Sequence, residues 1–136
     1  MKPFSASHKA FTLVEIMVVV AIIAMLAAIA VPNFLRARKR SQATRILEDL
    51  RIIDSAIDQY AIENNKSSGA TASWSDVQAY LKKGSVLYNS SAMDMLGGTY
   101  NTTGTFTVDS LPKLNSSTFS KLSDVAPTAF WSPYYP

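Results

Sequence analysis

A chain of 136 residues with 48% hydrophobic and 17% charged side chains has room for one small domain beside any extra segment, and it is not a disordered polymer. It contains no cysteine, so disulfides and thiolate metal sites are excluded, and its single histidine, His8, lies in the N-terminal tail, away from any folded body. The net charge of +3 is concentrated in Lys2 and Lys9 and in one cluster, Arg36, Arg38, Lys39 and Arg40. That cluster adjoins an apolar run and carries no interleaved aromatics, so it fits a membrane headgroup contact better than nucleic acid.

Residues 1 to 10 read as a short basic leader without periodicity. From Ile16 to Val31 no polar residue interrupts the run, and with its flanks it reaches membrane-spanning length, roughly 20 residues at 1.5 Å each. One carboxylate, Glu15, stands near its start. A charge in hydrocarbon costs about 2.5–3.5 kcal/mol on insertion scales, so Glu15 needs a partner, a route to water or a task. It could be neutral, or use the positive end of the helix, or pair with a nearby amine. Ala21, Ala24 and Ala28 form a small-residue stripe that would let helices approach closely, although alanine is common in any spanning helix.

Pro32 either kinks a continuing helix or ends it, since it cannot donate to the carbonyl of Ala28. The residues beyond favour continuation. Ala43, Ile46, Leu50, Ile53, Ile57 and Tyr60 recur at spacings of three and four with charges between them, which predicts an amphipathic helix with one buried stripe. It should stop near Asn64 and Asn65, before the loop "KSSGATAS". Read as one element, Phe11 to about Asn64 would be about 80 Å long.

The remainder should cover the stripe. Ser73 and Asp76 have capping-box spacing, Trp74, Val77 and Leu81 fall on one face, and Gly84 lies beyond the end, so a short helix is expected. "GGTYNTTGTFTVD" alternates at Thr105 to Val108 after a glycine-containing turn and predicts a hairpin. "PTAFWSPYYP" is aromatic but broken by prolines, so it should lie across a sheet or helix instead of forming a central strand. The Asn-x-Ser/Thr triplets at Asn65, Asn89, Asn101 and Asn115 read as solvated loops, not as glycosylation sites. No Gly-x-Ser-x-Gly elbow or phosphate-binding glycine loop is present, so no enzyme is expected.

Three readings of the N-terminus stay open on residues alone. A secretory signal peptide would use the basic start and a small-x-small site at Ala28-Ile29-Ala30, but the apolar region is too long and carries Glu15. A plain single-pass anchor is the second; by the positive-inside rule the cluster Arg36 to Arg40 would then face the cytoplasm. The third comes from "AFTLVEIMVVVAIIAMLAAIAVPNF", which resembles the N-terminal signature of type IV pilins and type II secretion pseudopilins. In that signature a basic leader is cut before Phe, a carboxylate stands at the fifth mature position, and in most members a proline at the twenty-second. Phe11, Glu15 and Pro32 occupy those places when the cut falls between Ala10 and Phe11. Ala10 stands where the family usually has glycine.

The resemblance implies an α+β fold: a long helix whose first half (residues 11–35) serves the membrane and assembly. Its amphipathic second half (36–64) packs on a small antiparallel sheet within a body of residues 65–136. It implies no catalytic residue, cofactor or metal. The partners implied are identical or related subunits, the inner membrane, a prepilin peptidase and methyltransferase acting at Ala10 and Phe11, and an assembly platform; nucleic acid is not among them. Glu15 would meet the Phe11 amine of a neighbouring subunit. The implied location is the inner membrane with the body in the periplasm, followed by extraction into a pseudopilus or pilus. Asp94, Gly97 and Tyr100 in "DMLGGTY" look like a degenerate Asp-x-x-Gly-x-x-Tyr stretch of major pseudopilins. The calcium loop of some relatives is not recognisable, and Asp109 and Asp124 read as ordinary loop carboxylates. A small cysteine-free body favours the type II secretion system over a type IV pilus. From another class, a membrane-anchored binding protein that never polymerises is the alternative.

Overall fold

The computed structural model describes residues 10–136, so Lys2, His8, Lys9 and most of the expected leader lie outside the described residues. The elements in order are α1 (Leu13–Glu63), β1 (Thr71–Ser73), α2 (Trp74–Gln78), β2 (Thr105–Thr107), α3 (Ser116–Leu122) and α4 (Thr128–Trp131). The fold is α+β, with a long N-terminal helix and one two-stranded antiparallel sheet. The chain divides into two compact units, one ending at Arg36 and one running from Ala37 to Pro136.

In the first unit the helix runs on through Pro32 without a break. Every described residue up to Arg36 is exposed, including sixteen consecutive apolar positions from Ile16 to Val31. The backbone satisfies itself as a helix must in lipid, while the side chains find no cover from their own chain.

The second unit buries what the first leaves open. Ala43, Ile46, Leu50, Ile53, Ile57 and Tyr60, the stripe expected from spacing, are all buried, joined by Leu47 and Ala56. Each fully buried Ile or Leu stabilises the fold by about 1.5–3 kcal/mol. The same cluster contains Val77, Tyr100, Phe106, Leu114, Leu122 and Trp131. The helix ends at Glu63, where Asn64 bonds back to Tyr60 and Asn65 takes φ 50°.

Strand β2 forms, but not in the expected hairpin. It pairs antiparallel with β1, in the register Thr71↔Thr107, Ala72↔Phe106 and Ser73↔Thr105. Positive φ angles at Asn101, Thr102 and Gly104 consume the preceding residues in turns, and "GGTY" closes instead on Met93 through a single bridge to Thr99. The β1 strand lies in the stretch read as a loop; three residues centred on Ala72 are too few for alternation to register. Ala72 and Phe106 point into the core.

Ser73 caps α2: its side chain accepts from the Asp76 N–H while Asp76 accepts from the Ser73 N–H at 2.9 Å. The helix is shorter than expected and ends at Gln78. Helices α3 and α4 were not legible. The first is a Ser-rich stretch held by the Asn115 cap and two inward residues, Thr118 and Leu122. The second begins at Thr128, just after Pro127, which stands at its N-cap in extended conformation. "PTAFWSPYYP" does lie across α1. Arg40 donates to the Val125 carbonyl and stacks 4.1 Å from the Phe130 ring, Lys39 Nζ reaches Asp124 at 2.9 Å, and the Tyr134 hydroxyl donates to Asp54 at 3.1 Å.

The "DMLGGTY" stretch is a tight loop built on Asp94. Its carboxylate accepts from the N–H groups of Leu96 (2.7 Å) and Gly98 (3.0 Å) and from the Thr118 hydroxyl. Tyr100 is fully buried and donates to Asp49 on α1 at 3.3 Å. Of the Asn-x-Ser/Thr asparagines, Asn101 and Asn115 are engaged by backbone groups of the loops they hold.

Candidate functional site

The segment that raised the functional question is the start of α1. Ala10 and Phe11 precede the helix in exposed chain without regular structure, with Phe11 81% exposed. Thr12 is the residue before the first helical position, Leu13, which places Glu15 third in the helix. The Thr12 N–H donates to Glu15 Oε2 at 2.7 Å and the Thr12 hydroxyl to the same oxygen at 2.9 Å. In return the Glu15 N–H donates to Thr12 Oγ1 at 3.2 Å. This is a reciprocal capping box, satisfying two of the donors that a helix start leaves open. The carboxylate also lies beside the positive end of the helix dipole.

Thr12 is the functional residue that sequence reasoning passed over. The signal was present as Thr-x-x-Glu, the same pattern that identified Ser73 and Asp76. Glu15 therefore has a partner within its own chain, Thr12. Among the described residues no hydrogen bond is made to the other carboxylate oxygen, Oε1.

The other residues singled out are placed as follows. Pro32 lies within α1, seventeen residues beyond Glu15, and removes one backbone bond without ending the helix. Ala10 and Phe11 adjoin the cap, and Glu15 is one turn from Phe11 along the chain. Helix α1 is long and apolar enough to cross a membrane. Among the described residues no group of three or more His, Cys, Asp or Glu side chains is placed to hold a metal ion.

Comparison with known proteins bears on this segment. The prokaryotic N-terminal methylation motif matches residues 5–31. The type II secretion system core protein G of Klebsiella michiganensis is 35% identical over 60 residues, covering 44% of this chain and 42% of that protein. The type IV wide pilus major component PilA4 of Thermus thermophilus is 46% identical over 57 residues, covering 42% of this chain and 44% of that protein. The type IV major pilin protein PilA of Myxococcus xanthus is 38% identical over 65 residues, covering 48% and 30%. The N-terminal stretch of the chain is thus similar to that of type IV pilins and type II secretion pseudopilins, which are structural subunits, not enzymes. The matched stretch spans less than half the length of these curated relatives. No solved structure matches the chain significantly.

Proposed function

We propose that this pilin-type chain is a structural subunit of a helical filament, and that the filament is the pseudopilus of a type II secretion system. The leader is cut between Ala10 and Phe11, and the Phe11 amine is methylated. The apolar half of α1 holds the subunit in the inner membrane with residues 65–136 in the periplasm, until extraction into the filament. The observation that carries this reading is the fully uncovered apolar half of α1, which no part of its own chain buries. Such a surface must be covered by lipid before assembly and by neighbouring helices after it.

Glu15 then has two successive partners. In the single subunit it closes the capping box with Thr12. In the filament its carboxylate meets the Phe11 amine of a neighbour, a pairing of opposite charges away from water. Pro32 supplies a point at which α1 lacks one backbone bond and can bend as helices pack. The choice of the secretion filament over a pilus rests on the small, cysteine-free body.

The test is Glu15→Gln in cells that assemble the filament. Leader cleavage should persist, because Ala10 and Phe11 are unchanged, and filament yield by electron microscopy should fall sharply. When both forms are expressed together, filaments should consist mainly of wild-type subunits. Wild-type filament yield from Glu15→Gln alone would make the residue a helix cap and nothing more. A wild-type protein that never polymerises would instead be a monomeric anchor.

A further inference from the structure

The head of α1 stops two residues short of the proposed cut. Ala10 and Phe11 lie outside the helix, which begins at Leu13. Nothing in Ala10 itself stops a helix there, since alanine has the highest helix propensity of all residues and phenylalanine is only modestly poorer. The stop comes from Thr12 and Glu15. The Thr12 carbonyl accepts from the Ile16 N–H at 3.4 Å and so opens the helical ladder, while the Thr12 N–H is turned aside to Glu15 Oε2 at 2.7 Å.

An N–H spent on a side chain is lost to the ladder, so the helix does not run on toward Ala10 while the box is closed. The Thr12 hydroxyl both receives the Glu15 N–H at 3.2 Å and donates to Oε2 at 2.9 Å, so each half of the box steadies the other. A peptidase needs its scissile bond in open chain, because a helix ties the carbonyl and N–H of that bond into its own ladder. The box leaves the Ala10–Phe11 bond outside the ladder at a fixed distance from a regular helix. The match to the N-terminal methylation motif spans both the cut and the box.

We propose that the Thr12–Glu15 capping box presents the Ala10–Phe11 bond to the leader peptidase, both side chains acting as positioning residues that do not touch the reacting atoms. The cut itself is hydrolysis: water adds at the Ala10 carbonyl carbon, the bond to the Phe11 nitrogen breaks, and that nitrogen leaves as an amine with a proton from the water. The inference rests on the cut proposed above and adds what holds it in place. It also divides the work of Glu15 in two. Closing the box needs a side-chain acceptor, which glutamate and glutamine both supply. Pairing with a neighbour's amine needs a negative charge, which only glutamate carries. Without the box the start of α1 spreads over several residues, and the enzyme must fix that boundary itself before it cuts.

The test is the rate of leader removal from the full-length chain in detergent by purified prepilin peptidase, followed by intact mass. With substrate below KM, Thr12→Ala and Glu15→Ala should each slow the cut roughly fivefold, the factor that goes with losing one helix cap. Thr12→Ser and Glu15→Gln should be cut at the wild-type rate, because each still closes the box. Thr12→Ala combined with Glu15→Ala should be little slower than either alone, since both break one pair. Multiplied losses in the double variant would mean that the enzyme reads the two side chains directly, and would overturn the proposal. Wild-type rates in both alanine variants, or a slow Thr12→Ser, would overturn it too and leave the cut intact. A wild-type chain cut elsewhere, or not at all, removes the cut itself and this inference with it.

Discussion

Two stretches of one helix carry long apolar runs and meet opposite fates. In residues 13–35 nearly every side chain is apolar on all sides of the helix, and none is buried. In residues 43–60 the apolar residues occupy one stripe, and that stripe is the core of the second unit. The distribution of apolar residues decides which solvent completes the helix. A uniform surface needs lipid or many helices around it, whereas a stripe needs only one layer, which a hundred-residue body can provide.

The strongest way to break this contrast is to put a charge in the stripe. Ile53→Asp places a carboxylate in a fully buried position with no prepared partner, costing ~4 kcal/mol or more. The full chain in detergent should lose its cooperative near-ultraviolet melting transition. Ile22→Asp, on the uncovered run, should leave that transition in place, because no packed neighbour is disturbed. Equal losses from both substitutions would erase the distinction between the two stretches.

A smaller effect is expected where the second unit packs most closely. A Cβ at Gly98 would lie 2.2 Å from Thr118 Oγ1 and 2.7 Å from Asp94 Oδ2. Gly98→Ala must displace the bonds that organise the 94–100 loop and should destabilise the unit by ~1–3 kcal/mol. Denaturant titration followed by tyrosine and tryptophan fluorescence would read it. An unchanged midpoint would show that the loop adapts freely.

On the uncovered side the comparable test is the cap. Thr12→Ala removes both the hydroxyl that receives the Glu15 N–H and one donor to the carboxylate, and should weaken the helix start by ~1 kcal/mol. Amide exchange in micelles should quicken at residues 13–16 and nowhere in the second unit. Thr12→Ser should behave as wild type.

The smallest effect concerns pH. Burial lifts the Asp49 carboxyl above its ordinary value of 3.8, against the pull of Arg45 and the Tyr100 hydroxyl. A carboxyl raised in this way contributes fully below its unfolded pKa and loses that contribution as pH rises through the folded value. Relative to Asp49→Asn, the wild type should therefore gain stability as pH is lowered from 7 toward 4. Asp76 works in the opposite sense, held low by the Ser73 hydroxyl and N–H, and its contribution is lost as pH falls through its folded value. A difference between wild type and Asp49→Asn that stays flat across this range would refute the assignment.

What was legible in the sequence follows the same division. The long helix, its stripe and its end before Asn64 were readable because periodicity over many residues is a redundant signal. The capping box at Ser73 was readable because two side chains four positions inclusive define it. The pairing of β1 with β2 was not, since three-residue strands carry no period and their meeting is decided by turns at Asn101, Thr102 and Gly104. Helices α3 and α4 escaped notice because Ser-rich and Pro-flanked segments favour loops until tertiary packing of Leu122 and Trp131 overrides that preference. At the candidate site, Phe11, Glu15 and Pro32 stood out by position in a signature. Thr12 was hidden only because an apolar run drew attention away from the four residues that open it.

The bonds of residues 131–134 carry a consequence for the order of events in the cell. Trp131 is fully buried, its Nε1–H donates to the Ala126 carbonyl, and the Tyr134 carbonyl accepts from the Leu114 N–H at 3.0 Å. These groups complete the core around Ile53 and Ile57, yet the ribosome adds them about a hundred residues after the apolar run has been made. A nascent chain therefore exposes its uncovered helix while its body is still unable to close.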